Sequence, residues 1–207
     1  MIKTYKYLLF ALLTNFLACT KIVTKSELPL PFLGEPIING NDTIPPTIKS
    51  FSFIDQDSNI ITNSTFSDKI YVADFIFLSC PSICPKMNTE MLRVYNEFKN
   101  NDTVLFLSHT IDPENDGVRQ LKNFAKSIDV TSKKWHFVTG NQENIYDLAE
   151  HSYFSNAYKD SLADGGFTHT GGLLLIDKNR HIRGVYDGTN DLETNRLIND
   201  IWILLKE

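Results

Sequence analysis

Residues 69–79, KIYVADFIFLS, form an almost unbroken apolar and aromatic run that leads straight into a pair of cysteines, CPSICP. A strand with one covered face alternates apolar and polar side chains, so a run apolar on both faces belongs at the centre of a sheet packed on both sides. The period then changes. Met87, Met91, Val94 or Tyr95, and Phe98 recur at helical spacing, so a helix follows the strand directly, with Cys80 and Cys84 at the junction. Pro85 suits the first turn of that helix, where the missing N–H leaves no hydrogen bond unmade. Cys84 then lies near the cap and Cys80 in the loop before it, both sulfurs facing one small space. The unpaired N–H groups and positive dipole end of a helix start favour thiolate over thiol there.

The rest of the chain supplies the layers that such a strand requires. The 207 residues are 42% hydrophobic and 22% charged, enough for a full core in one domain with accessories. A formal net charge of −5 and no Lys/Arg run argue against nucleic acid as a partner. TIKSFSFIDQDSNIIT reads as two short strands around a turn at Asp57, Ser58 and Asn59. TVLFLSHTI is a second buried strand, GVRQLKNFAKSI a helix, KWHFVTG a short strand, and NQENIYDLAEH a helix capped by Asn141. After an irregular stretch, GGLLLIDKNRHIRGVYDGT predicts a hairpin turning at Lys178, Asn179 and Arg180. A closing amphipathic helix has Leu192, Leu197, Ile201, Leu204 and Leu205 as its apolar face.

The N-terminus reads as an export segment. Lys3 and Lys6 precede a mostly apolar stretch from Tyr7 to Ala18, short for a stable membrane span. Its end, FLAC at residues 16–19, resembles a bacterial lipoprotein box with Phe16 in place of the usual leucine; that reading, set ahead of an uncleaved anchor or an ordinary signal peptide, gives Cys19 the role of lipid anchor and leaves Cys80 and Cys84 as the only other cysteines. The expected division is a signal over 1–19, a flexible tether over 20–41, where no periodicity is visible, and a folded domain over 42–207. The expected location is the periplasmic side of a bacterial membrane.

Strand, helix, strand, helix, strand, strand, helix, with two cysteines at the first central junction, is the layout of a thioredoxin-like domain. The expected fold is α/β, a central mixed sheet flanked by helices with an N-terminal β-hairpin extension. The cysteine pair itself admits three readings. A structural disulfide is natural in an exported protein, yet closing so short a loop removes little chain entropy. A redox dithiol fits a helix start, although the usual spacing has two intervening residues and here there are three. A soft-metal site is the third, because paired thiolates select ions such as Cu(I).

CPSICP resembles the C-P-x-x-C-P signature of the Sco proteins, copper proteins of cytochrome c oxidase assembly. TIDPEND (110–116) and FTHTGGLLLIDKNRHIRGVYDGT (167–189) are similar to that family's strand-ending acidic segment and its histidine loop with the following hairpin. The resemblance spans roughly residues 45–207 in three ordered blocks. It implies one copper ion, Cu(I) or Cu(II), held by Cys80, Cys84 and His169, and chaperone delivery to the CuA centre on subunit II of cytochrome c oxidase or a related respiratory oxidase. A periplasmic copper donor is implied as a further partner. Many members carry an acidic residue just before the histidine, where this chain has Thr168.

Among the five histidines, His169 sits in a Gly-rich stretch free to aim it; His136 reads as packed, His181 as solvated, His151 as a helix-end charge, and His109 as packed or close to the site without being a ligand. No proline follows Pro113, so the loop facing the cysteines offers an imidazole where a thioredoxin-type reductase carries proline. Asp74, six residues before Cys80, stands where thioredoxins hold a buried proton acceptor; a strand-edge aspartate paired with a lysine is the equal alternative. A thiol–disulfide oxidoreductase, with Cys80 and Cys84 as its redox pair, or a peroxidase-like or redox-sensing protein using Cys80 as nucleophile are the competing functions.

Overall fold

The computed structural model describes residues 29–40 and 42–207. The apolar run becomes β5 (Ile70–Ile76), buried along its whole length. It lies in a seven-stranded mixed sheet of order β11-β10-β5-β6-β7-β3-β4. The other strands are β3 (Ser52–Asp55), β4 (Ile60–Thr62), β6 (Val104–Thr110), β7 (Trp135–Thr139), β10 (Gly172–Ile176) and β11 (Ile182–Asp187). β5, β6 and β7 run parallel, with Asp74 opposite Ser108 and Phe75 opposite His109. The hairpins β3–β4 and β10–β11 close the two sides antiparallel.

Alternation along β5 sends its side chains into two cores. Phe75 joins Leu107, Leu174 and Tyr153 beneath Ile145 and Leu148 of α3 (Gln142–Ser152). Val72 and Ile76 join Phe106 and Trp135 beneath α1 (Cys84–Phe98), α2 (Val118–Ser127) and α4 (Asp191–Leu204). Helices therefore cover both faces, as the continuous apolar pattern of β5 requires. The Asn141 side chain caps α3 by accepting from Asn144 N at 3.0 Å, and Asn190 caps α4 by accepting from Leu192 N at 2.9 Å.

Three features differ from the sequence expectation. Leu192 is 70% exposed; Thr194, Leu197, Ile201 and Leu204 form the buried face of α4, with Ile198 and Leu205 partly buried. The stretch after α3 is not irregular throughout: β8 (Ala157–Lys159) and β9 (Phe167–His169) pair antiparallel as a separate two-stranded sheet. The segment expected to be tether does not run free to residue 41. Leu30 and Leu33 pack against the two cores, and Leu33 N donates to Ile182 O at 2.9 Å. Arg183, 5% exposed, donates to Leu30 O (2.7 Å) and Pro31 O (3.2 Å) while pairing with Asp177 (3.1 Å) and Glu207 (2.9 Å). The Phe32 ring lies over its guanidinium at 4.5 Å. A further hairpin, β1 (Ile37–Asn39) with β2 (Asp42–Ile44), follows on the exposed side. The expected signal, Cys19 and residues 20–28 lie outside the described residues. Among the described helices none is long and apolar enough to cross a membrane.

Candidate metal centre

The end of β5 and the start of α1 are joined by a tight loop. Cys80 N donates to Phe77 O at 3.2 Å, and Pro85 stands in the first turn of α1. Cys84 is the first residue of the helix and no side chain caps that end; Pro85 has no N–H and Lys86 N donates to Ile83 O at 3.0 Å, so the N–H that faces a sulfur is that of Cys84, toward Cys80. His169, the last residue of β9, reaches over from the other side. Its Nε2 lies 3.3 Å from Cys84 Sγ, and the two sulfurs and an imidazole nitrogen fall within 4.8 Å of one another. Among the described residues this is the one group of three such side chains close enough to share a metal ion.

The electrostatics divide the two thiols. Burial acts to raise the Cys80 thiol, but hydrogen bonds from the Cys84 side chain and backbone N–H and from Ser82 outweigh it and bring the pKa below the ordinary cysteine value. Cys84 goes the other way: burial first, then its hydrogen bond to Cys80 and the charges of Cys80 and Asp74, push its thiol far up. The two thiols are thus driven apart, Cys80 being the more readily ionised and Cys84 the one that holds its proton. His169 is pushed below the ordinary histidine value by burial, with backbone groups of Thr170 and Phe75 opposing, so its imidazole is neutral at neutral pH and able to donate a lone pair.

Phe77 touches all three residues. Its carbonyl takes the Cys80 N–H, its backbone N–H lowers the Cys84 thiol, and its ring meets the His169 imidazole edge-on with centroids 5.6 Å apart. Clefts of 310 Å³, lined by Leu78, Leu92 and Phe124, and of 250 Å³, lined by Ile83, Phe167 and His169, both open onto Cys80.

Asp74 is fully buried in the middle of β5, between β10 and β6, with no lysine partner, which removes the strand-edge alternative. Neither carboxylate oxygen has a hydrogen bond of normal geometry; burial pushes the carboxyl up to about 7, with the neighbouring Ser108 hydroxyl opposing. Its charge also raises Cys84, so the two compete to hold a proton. His109 is packing: fully buried, without a hydrogen bond, stacked on Phe75 at 5.1 Å and driven by burial to a pKa of about 3. His136 is packed against Asp55 at 3.1 Å. His181 is not solvated as expected, because Asp177 at 3.3 Å and the Phe32 ring at 5.0 Å enclose it. His151 stays exposed at the end of α3, 3.1 Å from Asp147. Thr168, in the position expected to be acidic, donates its hydroxyl to Asp160 at 3.0 Å.

Two residues close to the centre carried no role in the sequence analysis. Phe77 was one apolar letter in a run. Asp116 belonged to the TIDPEND block, and its carboxylate is now seen to accept from Leu78 N at 3.0 Å.

Residues 41–205 match the sequence profile of the SCO1/SenC family. The chain belongs to that family. The SCO1 protein homolog of Bacillus subtilis is 29% identical over 156 residues, 74% of this chain and 80% of that one. BsSco, a member of the Sco family of cytochrome c oxidase assembly proteins in which a disulfide switch has been identified, superposes with a TM-score of 0.70 at 26% identity, covering 86% of this chain and 98% of that chain. Yeast Sco1, solved with copper bound, shares the fold with a TM-score of 0.61 at 19% identity, over 76% of this chain and 90% of that chain. The family membership extends the α/β, thioredoxin-like expectation to the whole described domain.

Proposed function

We propose that this SCO1/SenC protein is a copper chaperone that binds one copper ion through Cys80, Cys84 and His169 and delivers it to the CuA centre of a cytochrome c oxidase. One observation carries the reading: two sulfurs and a neutral imidazole converge within 4.8 Å at the mouth of two clefts. The donor set fits the ion. Thiolates are soft ligands that hold Cu(I), and the added nitrogen makes Cu(II) tolerable, so one site serves both oxidation states. Binding releases the Cys84 proton, and a buried carboxyl at Asp74 is a nearby group able to exchange one. Export with attachment through Cys19 supplies the location, with subunit II of the oxidase and a periplasmic copper donor as partners.

A second reading is supported by the unequal cysteines. A more acidic Cys80 beside a Cys84 that holds its proton is the arrangement of a dithiol that reduces a disulfide, here the CuA cysteines before metal insertion. His169→Ala separates the two. A chaperone variant loses far more affinity for Cu(II) than for Cu(I), loses or shifts the thiolate-to-Cu(II) charge-transfer band, and fails to restore oxidase activity at low copper. If the variant keeps band and activity while the Cys80→Ser, Cys84→Ser double variant loses both, the oxidoreductase reading replaces the chaperone.

A further inference from the structure

We infer that Asp116 is a positioning residue of the metal centre, acting through the Phe77–Leu78 peptide; the inference deepens the copper-site reading and rests on it for its metal-binding half. Asp116 is 3% exposed and lies on the connection between β6 and α2, away from the three donors in sequence. Its Oδ2 accepts two hydrogen bonds, from Leu78 N at 3.0 Å and from the Thr110 hydroxyl at 2.7 Å. The Leu78 N–H belongs to the same peptide unit as the Phe77 carbonyl. Holding one end of a planar unit fixes the other, and that carbonyl is the group that accepts Cys80 N.

The Phe77 residue is where the three donors meet. Its carbonyl sets the turn that aims Cys80, its N–H serves Cys84, and its ring abuts His169. Rotating the 77–78 peptide moves that carbonyl and with it Cys80, while the Phe77 N–H and ring, on the far side of its Cα, stay behind with Cys84 and His169, so the three donors lose their common register. The group that prevents rotation is itself braced on several sides. Asp116 N and Asn115 N donate to Asp112 O at 2.8 and 3.1 Å, and Asp112 N donates to the Thr110 hydroxyl oxygen at 3.1 Å. Ile111 N donates to Ile76 O at 2.8 Å, and Ile111 O accepts from the Tyr146 hydroxyl of α3 at 2.9 Å. The acidic segment after β6 is thus a polar knot tied to the last residues of β5. What the knot offers the loop is an acceptor at one place, and geometry matters more than charge, because an amide oxygen at the same position can still accept both bonds.

The consequence is selective. Two thiolates on one loop can adapt to a two-coordinate ion, whereas adding the imidazole demands that loop and hairpin stand at a set distance. Asp116→Ala, and Asp116→Glu with its oxygens carried one methylene too far, lower Cu(II) affinity by about 10–100-fold, the range for losing a group that orients metal ligands, and change Cu(I) affinity much less. Asp116→Asn keeps the parent's affinities and its charge-transfer band. A metal-free readout runs in parallel: in the Ala and Glu variants iodoacetamide alkylates the Cys80 thiol of the reduced protein at an altered rate, and in the Asn variant at the parent rate. If Asn falls with Ala and Glu, the charge is what matters and the inference is overturned; parent-like Ala and Glu variants in both readouts overturn it as well. A parent protein that binds no copper defeats the proposed function, while the alkylation rates still decide the role of Asp116.

Discussion

Replacing Asp74 by asparagine should make the metal-free, reduced protein more stable at pH 8 and leave it nearly unchanged at pH 4. Asp74 is fully buried, and burial moves its carboxyl from the ordinary 3.8 up to about 7. The fold therefore holds the proton more tightly than the unfolded chain does. Below 3.8 the carboxyl is neutral in both states and costs nothing. As pH rises from about 4 towards 7 the unfolded chain releases the proton first, so stability falls, and above 7 the penalty is constant. The interval between 3.8 and about 7 corresponds to about 4 kcal/mol. Asparagine has the same shape and never ionises. Guanidinium unfolding at a series of pH values, followed by tryptophan fluorescence, gives the stability of parent and variant. Their difference should grow by about 4 kcal/mol between pH 4 and 8. Carboxylates held below their ordinary values, such as Asp57 and Asp187, change with pH in the opposite direction but cancel in this difference. Two curves that run parallel across the range would refute the buried, unpartnered carboxyl.

The N-terminal clasp predicts that Arg183→Ala costs about 3 kcal/mol, the low end for removing one partner of a buried ion pair, because Glu207 remains one-third exposed. The same change should open the chain near residue 30 to limited proteolysis, whereas a variant that melts and digests like the parent would mean that the segment contributes nothing. In α4, Leu197→Ala should cost about 3 kcal/mol and Leu192→Ser less than about 0.5, since the first is fully buried and the second 70% exposed; thermal melts giving equal losses would return Leu192 to the core.

The sheet was legible where one physical period ruled a segment. β5 and β6 are buried on both faces and read as mostly apolar runs, interrupted by Asp74 in the first and by residues 108–110 at the end of the second, and α1 showed its helical spacing from Met87 to Phe98. The cysteine pair was legible for the same reason, because a change of period marks the junction. Other features depend on neighbours distant in sequence. Asp74 could not be told from a strand-edge residue until β10, about a hundred residues on, was paired beside it. The docking of residues 30–33 leaves no side-chain period, since Arg183 grips main-chain carbonyls. Leu192 has the right type for the face of α4 but sits in its first turn, beyond the sheet. The β8–β9 strands are three residues each, too short to show alternation, so His169 looked like a loop residue.

The three candidate ligands are mounted on parts of unequal rigidity. Cys80 and Cys84 belong to the junction of the seven-stranded sheet with α1, whose loss amounts to global unfolding. His169 belongs to the small β8–β9 sheet, tied at its base by Thr170 N to Asn156 O and by the Ser155 and Thr170 hydroxyls. A bond set that small opens at a fraction of the whole molecule's stability. If the proposed copper site holds, the imidazole would swing aside while the sulfurs stay in register, and an ion there would leave at a rate set by the hairpin, as a door opens at its latch and not at the wall.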